Sequence, residues 1–216
     1  MSQLRDLVIL GTSGFAREVA WLVRDINSVS PSWNLLGHLA ASATEVGSQV
    51  GDAMVIGDDS FMARHSGELA VAIGTGHPQV ISRLRSTIQG LPHLDFPNLI
   101  HPSVMLDRAR VQFGRGNVVC AGTILTTDIR IGSFNVFNLA CTVGHDCVIG
   151  DCCVANPGCN ISGNVSIGDR CLLGTGSTIL QNLAIGEGAT IGGGALVNRP
   201  VDPGATVAGV PAKPLK

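Results

Sequence analysis

The 216-residue chain has no tyrosine, and only 4% of it is aromatic. β-Protein cores usually rely on rings and large branched residues, so any interior here must be narrow and repetitive. Charge is equally sparse: charged side chains make up 14% of the residues, the net charge is −2, and no Lys/Arg run occurs. Nucleic acid and anionic membrane surfaces therefore have no electrostatic footing. No stretch approaches the ~20 apolar residues of a membrane span. Met1 to Leu10 lacks a basic segment followed by a cleavage site, so a secretory signal is not expected. Seven cysteines without such a signal read as reduced thiols in a cytoplasmic protein.

What the chain does have is glycine, 28 residues of it, with no collagen-like triplet period. It also has an internal repeat. Stepping by six from Asp107 gives Phe113, Val119, Leu125, Ile131, Phe137, Val143, Ile149, and so on to Val197; fifteen of these sixteen positions are apolar. A chain that is 45% hydrophobic would supply about seven by chance. Four residues after each anchor, most side chains are small, including Cys141, Cys147, Cys153, Cys159 and Cys171. Glycine often follows the anchor directly, as at Gly114, Gly132, Gly144, Gly150, Gly168, Gly174, Gly186 and Gly192.

Neither an α-helix nor a plain strand repeats at six residues, but a short flat strand with a tight corner does. Three units close one triangular coil of eighteen residues, and coils stack ~4.8 Å apart through parallel backbone hydrogen bonds. The anchors then point into a prism, the small residues fit near its corners, and glycine is expected to relieve backbone strain at the turns. The five cysteines at the small position read as core packing, ahead of zinc ligation or a catalytic thiol. Cys152, next to the inward Cys153, is expected to point outward and be the more reactive thiol.

The first hundred residues read differently. Leu7 to Leu10 is a buried-strand run, Gly11 to Gly14 a tight turn, and Phe15, Val19, Leu22, Val23 and Ile26 follow at helical spacing. Further strands are expected at Trp33 to Leu39, Met54 to Ile56 and Leu69 to Ile73, with a helix from Pro78 to Gln89. This is a small α/β unit with a parallel sheet. Gly11 to Gly14 is not a full dinucleotide fingerprint, and no acidic residue ends the second strand to hold a ribose. A second glycine turn, Gly74 to Gly76, follows another strand, and two such turns at strand ends favour a ligand crevice.

The hexad array, the Val143 to Asp151 segment VGHDCVIGD, the triple glycine Gly192 to Gly194 and the ending AGVPAKP (Ala208 to Pro214) resemble hexapeptide-repeat acetyltransferases. The N-terminal VILGTSGFAREV (Val8 to Val19) and VIGDD (Val55 to Asp59) narrow the resemblance. They are similar to the branch containing sialic acid O-acetyltransferases and bacterial N-acetyltransferases for nucleotide-linked 4-amino-4,6-dideoxy sugars. The resemblance implies a small Rossmann-like α/β domain over residues 1–100 and a left-handed parallel β-helix over residues 101–216. It implies a homotrimer that uses acetyl-CoA, needs no metal and acts on a nucleotide-linked amino sugar in surface glycan synthesis.

By the same resemblance, His145 is the general base at a subunit interface and Asp146 its acidic partner. Asn138 lines the active site, Val154, Thr175 and Gly193 contact acetyl-CoA, and Ser13, Gly14, Phe15 and Gly74 contact the substrate. Ala40 and Ala41 stand where relatives that use UDP-sugars often carry an Asp pair, which questions UDP and leaves GDP or dTDP open. Among the six histidines only His145 lies within the repeat, two residues past Val143 at an outward corner, and a carboxylate follows it. One histidine is too few for a β-helix carbonic anhydrase, which takes zinc ligands from several coils. A non-enzymatic surface lattice would show a ladder of exposed threonines, and Thr126 and Thr127 have no such succession. O-acetylation of a sialic acid is the remaining rival.

Overall fold

The computed structural model describes residues 4–215. The chain first builds β1 (Arg5–Leu10), α1 (Gly14–Val29), β2 (Trp33–Ala40), β3 (Gln49–Val50), β4 (Ala53–Asp58), α2 (Ser60–Arg64), β5 (Leu69–Ile73), α3 (Pro78–Ile88) and β6 (Leu94–Asp95). The strand order is β3-β4-β2-β1-β5-β6, parallel except for the short β3–β4 hairpin. The apolar runs of β1 and β5 are buried end to end, as a strand covered on both faces requires. In α1 the helical spacing buries Ala16, Val19, Leu22 and Val23.

The order of strands reverses between β1 and β5. From β1 the chain moves through α1 to β2; from β4 it crosses back to β5. The β1–α1 and β5–α3 turns therefore meet at the carboxyl ends of adjacent strands, the place where open α/β sheets bind ligands. Two glycines allow the approach. A Cβ on Gly74 would lie 2.7 Å from Ile9 and 2.8 Å from the Ala16 side chain, and Gly11 sits at φ +122°.

The repeat folds as the stacked three-sided coil that the hexad anticipates, with the left-handed parallel β-helix architecture that the resemblance implies, and its short strands form three flat sheets. The first face carries Val118–Val119, Val136–Phe137, Val154–Ala155 and Leu172–Leu173. The second carries Ile124–Leu125, Thr142–Val143, Asn160–Ile161 and Thr178–Ile179. The third carries Ile129–Ile131, Val148–Ile149, Ser166–Ile167 and Ala184–Ile185. Partners are eighteen residues apart, as in Leu125↔Val143↔Ile161↔Ile179.

The coil extends further upstream than the hexad reached. Leu99–Ile100 and Met105–Leu106 join the first and second faces, but nineteen residues before their partners. One extra residue in the turn between Leu106 and Val111 breaks the six-residue step. It also explains the single polar anchor: Asp107 is a corner residue, and Leu106 takes the anchor place opposite Leu125.

Two expectations are corrected here. The glycines that follow the anchors do not relieve strain, since their φ values lie outside the left-handed region; they make room. A Cβ on Gly174 would meet Ile191 O of the next coil at 2.7 Å. The left-handed residues stand two places later, at every corner from Gly116 to Gly194, and include Asp128, Phe134, Ala140, Asp146, Cys152, Asn164, Arg170 and Asn182. Cys152, at one of these corners, does point out of the prism, but into the apolar cluster beneath the α/β unit rather than to solvent. It is 2% exposed, beneath Arg85 of α3.

The small positions have work beyond fitting. Thiols of Cys141, Cys147, Cys153, Cys159 and Cys171 each donate to the carbonyl fifteen residues ahead, at 3.0–3.2 Å. Asn117 and Thr123 do the same with Gly132 and Asn138. These bonds add to the backbone bonds that several corner carbonyls already accept, as Asn156, Gly174 and Gly186 do from the amides three residues on. A further ladder climbs one corner: Asn98 Oδ1 accepts from Asn117, Asn117 Oδ1 from Asn135, and Asn135 Oδ1 from the Cys153 amide.

The first face of the prism is covered. Val118, Val136 and Val154 share one apolar cluster with α1, β1 and β5 of the α/β unit. Arg85 Nη1 donates to Asp151 Oδ2 at 2.6 Å and lies over the Phe134 ring, while Phe96 packs edge-on against Phe134. His101 of the first coil contacts Asp25 of α1 at 3.1 Å. The α/β unit is thus fixed to one face, and its crevice has a set position relative to the coil.

Candidate active site

Two places on the surface bring the chemistry together. The first is the corner between the second and third faces. There His145 Nδ1 lies 2.8 Å from Asp146 Oδ2, and the two side chains are 64% and 61% exposed. An Nδ1–H donated to the carboxylate fixes the tautomer and leaves the lone pair on Nε2, where it can take a proton. The ring lies directly over Gly163 of the next coil, so closely that a Cβ there would be 2.6 Å from Cε1 and Nε2. Cys147 is adjacent in sequence but buried, with its thiol bonded to Ser162 O at 3.2 Å. Burial pushes that thiol up from its ordinary range, so it is a poor nucleophile.

Asn138, Thr175 and Gly193 stand on the previous corner, between the first and second faces. Asn138 Oδ1 accepts from the Leu139 amide at 2.7 Å. Thr175 and Gly193 occupy equivalent places in successive coils, and Gly194 N donates to Thr175 O at 2.8 Å. A whole strand, Thr142–Val143, separates this corner from His145. One chain does not bring the two groups together. Val154 departs from its expected role: it is 1% exposed, buried between the first face and the α/β unit, with its amide donated to Cys171 O. It has no free surface for a cofactor.

The second place is a crevice of about 420 Å³ at the switch point of the α/β sheet. Gly11 to Ser13, Leu39 to Ala41, Asp59, Gly74, Thr75 and the α3 stripe Val80, Arg83, Leu84 and Thr87 line it. Ser13 caps α1 without bonding its first turn; its hydroxyl donates instead to Gly74 O at 3.3 Å. The first amides of α1 are left free of a side-chain cap. His38 braces the turn through Nδ1, 3.0 Å from Gly11 O.

Of the four substrate positions expected, Ser13 and Gly74 line this crevice. Gly14 opens α1 beside it and is exposed, and Phe15 turns into the core cluster. Arg83 was not anticipated. It is exposed on the crevice wall and has no carboxylate partner among the described residues. The signal was available as the spacing of Val80, Arg83, Leu84 and Thr87 at i, i+3, i+4 and i+7, a single face of α3.

Comparison with known proteins agrees with this architecture. The family described as Bacterial transferase hexapeptide (six repeats) matches residues 146–181, and no curated protein matches by sequence search. Among solved structures, the acetyltransferase domain of PglB from Neisseria gonorrhoeae, in complex with acetyl coenzyme A, is 28% identical. Its TM-score is 0.89, over 99% of this chain and all of that one. PerB from Caulobacter crescentus, in complex with CoA and GDP-perosamine, is 28% identical with a TM-score of 0.88, over 99% of each chain. WeeI from Acinetobacter baumannii is 31% identical with a TM-score of 0.86, over 98% of this chain and 100% of that one.

The coil and its likeness to solved acetyltransferases define a hexapeptide-repeat acyltransferase. Likeness over the whole length, the α/β unit included, takes the assignment one step further: the chain belongs to the hexapeptide-repeat sugar acetyltransferase family. No helix among the described residues is long and apolar enough to cross a membrane.

Proposed function

We propose that this enzyme transfers the acetyl group of acetyl-CoA to the 4-amino group of a nucleotide-linked amino-dideoxy sugar. The observation that carries the reading is the pairing of an exposed His145–Asp146 corner with a nucleotide-sized crevice whose Arg83 has no carboxylate partner among the described residues. A free sialic acid could offer its carboxylate to that guanidinium but has no nucleotide to fill the switch-point crevice of about 420 Å³, which favours N-acetylation of a nucleotide sugar over sialic acid O-acetylation. PerB, a full-length structural match, was crystallised with CoA and GDP-perosamine, and PglB with acetyl coenzyme A.

In this reading the sugar amine attacks the thioester carbonyl of acetyl-CoA within a ternary complex. The N–C bond forms, the C–S bond breaks, and the amine's proton passes to His145 Nε2 and then to the departing CoA sulfur. Asp146 orients the imidazole throughout. An unprotonated amine is already a competent nucleophile, so no acyl-enzyme is required. Asn138, Thr175 and Gly193 line the acetyl-CoA side, with Ser13, Gly14, Gly74 and Arg83 on the nucleotide.

The α/β unit covers the first face, and His145 stands at the opposite vertex of the prism. Substrate held by one chain is therefore served by the histidine of another, which supports a homotrimer with three equivalent clefts. Apolar side chains around that vertex, Met105 and Ile124 on the second face and Val148 and Leu180 nearby, are exposed in the single chain. Light scattering should return three chains.

The deciding experiment measures thiol release from acetyl-CoA with GDP-, UDP- and dTDP-linked amino sugars and with sialic acid. His145→Ala should lower turnover by ~10²–10⁴-fold, the usual worth of a general base, and Cys147→Ala should keep most of the activity. Turnover with sialic acid alone, or an acetylated cysteine trapped by mass spectrometry, would refute the reading.

A further inference from the structure

The segment between β2 and β3 brings a carboxylate to the nucleotide crevice from a place the strand pattern did not suggest. No acidic residue ends β2, yet Glu45, five residues beyond it, receives a hydrogen bond from Thr12 Oγ1 at 3.0 Å. Thr12 lies in the β1–α1 turn and lines the crevice. Glu45 is the only residue from 41 to 49 that is not exposed.

Its position is built rather than incidental. It ends a short 3-10 turn, Ala43–Glu45, whose start is capped when Ser42 Oγ accepts from the Thr44 amide. Ser48 Oγ donates to Glu45 O at 2.6 Å, and Gly47 N and Ser48 O bond to Val55 of β4 at 2.8 and 2.9 Å. The turn is thereby tied to the sheet, and the carboxylate is tied to the β1–α1 turn.

A carboxylate at this point repels a diphosphate, and Arg83 on α3 supplies the complementary charge from another wall of the crevice. What a carboxylate beside a phosphate-sized turn can accept is a hydroxyl pair. The adjacent hydroxyls of a ribose both donate, and one carboxylate can receive both. In dinucleotide-binding α/β sheets the ribose carboxylate stands at the end of the second strand; Glu45 lies five residues past β2 and is drawn back to the first turn by Thr12.

We infer that Glu45 binds the ribose hydroxyls of the substrate's nucleotide, and that the enzyme therefore selects ribonucleotide-linked sugars over 2′-deoxyribonucleotide-linked ones. This rests on the nucleotide-sugar reading above and narrows it: GDP fits, and dTDP lacks the hydroxyl that Glu45 would hold.

The test is calorimetric binding of GDP, dGDP, UDP and dUDP to the intact enzyme. Losing a hydrogen bond to a charged group should weaken the 2′-deoxy nucleotides by roughly 10- to 100-fold. In Glu45→Gln the ribonucleotides should weaken while the deoxynucleotides hold steady, so that the ratio falls to within about threefold. Thr12→Val, which frees the carboxylate from its anchor, should shift the ratio the same way by less. Three results would overturn the inference: equal wild-type affinity for GDP and dGDP, a ratio unchanged in Glu45→Gln, or equal losses for both sugars, which would place Glu45 on the base. If none of the four nucleotides binds the wild type, the nucleotide-sugar reading itself fails.

Discussion

The most informative single atom to add to this enzyme is the β-carbon of an alanine at position 163. It would lie 2.6 Å from His145 Cε1 and Nε2, where an ordinary contact is 3.4–4 Å. The imidazole must then withdraw by roughly 1 Å, which breaks its 2.8 Å hydrogen bond to Asp146. Misplacing a reacting group by about 1 Å can cost ~10²-fold in rate. The fold has little reason to suffer. Gly163 is outside the left-handed region, and the ring is exposed enough to swing into solvent. Stability should stay within about 0.5 kcal/mol of wild type.

Gly144→Ala, beside His145 in the preceding coil, is the contrasting substitution. Its Cβ would meet backbone, Gly163 N at 2.6 Å and Ser162 C at 2.8 Å, and backbone cannot swing away. Overpacking of that kind costs about 1–3 kcal/mol. One substitution should silence a stable enzyme and the other should loosen the coil, read by thiol release and by urea midpoints. Full turnover in Gly163→Ala, or equal destabilisation by the two, would refute the reasoning about His145.

Other outcomes follow from the same structure. The proposed role of Arg83 is a charge-assisted hydrogen bond to the diphosphate, so in Arg83→Ala the KM for the nucleotide sugar should rise by roughly 10-fold or more while the KM for acetyl-CoA stays put; parallel rises would remove Arg83 from the nucleotide wall. All seven thiols are buried, and burial pushes Cys120 up to about 12, so alkylation of native enzyme at pH 8 should be slow at every cysteine and complete only in denaturant. Burial also lowers the pKa of His38, with the Gly11 carbonyl opposing in part. In mild acid the unfolded chain then binds the extra proton and the folded one does not. This contribution to stability is intact above about pH 6.5 and declines as the pH falls below it; a urea midpoint equally pH-dependent in His38→Asn would contradict that assignment.

The coil was legible because its physics is periodic. An inward apolar anchor every six residues closes as a three-sided coil, and Val119 to Val197 fill it in register. Legibility failed where the period did. One extra residue between Leu106 and Val111 hid the first coil, and the corner conformation falls on residues as unlike as Phe134, Asp146 and Cys152, so composition could not mark it. Cys152 leaves the prism as expected, but its access to solvent was misjudged because α3 lies over it. Val154 was misjudged because the outer side of a strand is buried when another domain lies on it, and nothing in a hexad says which face is covered. Glu45 was missed for a related reason. It reaches Thr12 across 33 residues through a turn whose shape is set by Ser42, Ser48 and the β3–β4 hairpin.

The same corner geometry that closes the coil also assembles its chemistry. In an extended strand neighbouring side chains point to opposite faces, so residues 145 and 146 would diverge. The left-handed turn at Asp146, φ +60°, breaks that alternation and sets the carboxylate beside the imidazole of the preceding residue. In the next two coils the equivalent corner carries Asn164 and Asn182, left-handed as well, bonded to each other at 2.8 Å. Asparagine and aspartate both tolerate this conformation, so exchanging one for the other leaves the fold's requirement satisfied. What separates a structural corner from the proposed catalytic one is therefore small. It is a histidine placed just before the turn, where the preceding coil has Thr127 ahead of Asp128, a charge where the next two coils carry an amide, and a glycine in the coil beyond that gives the ring a place to lie.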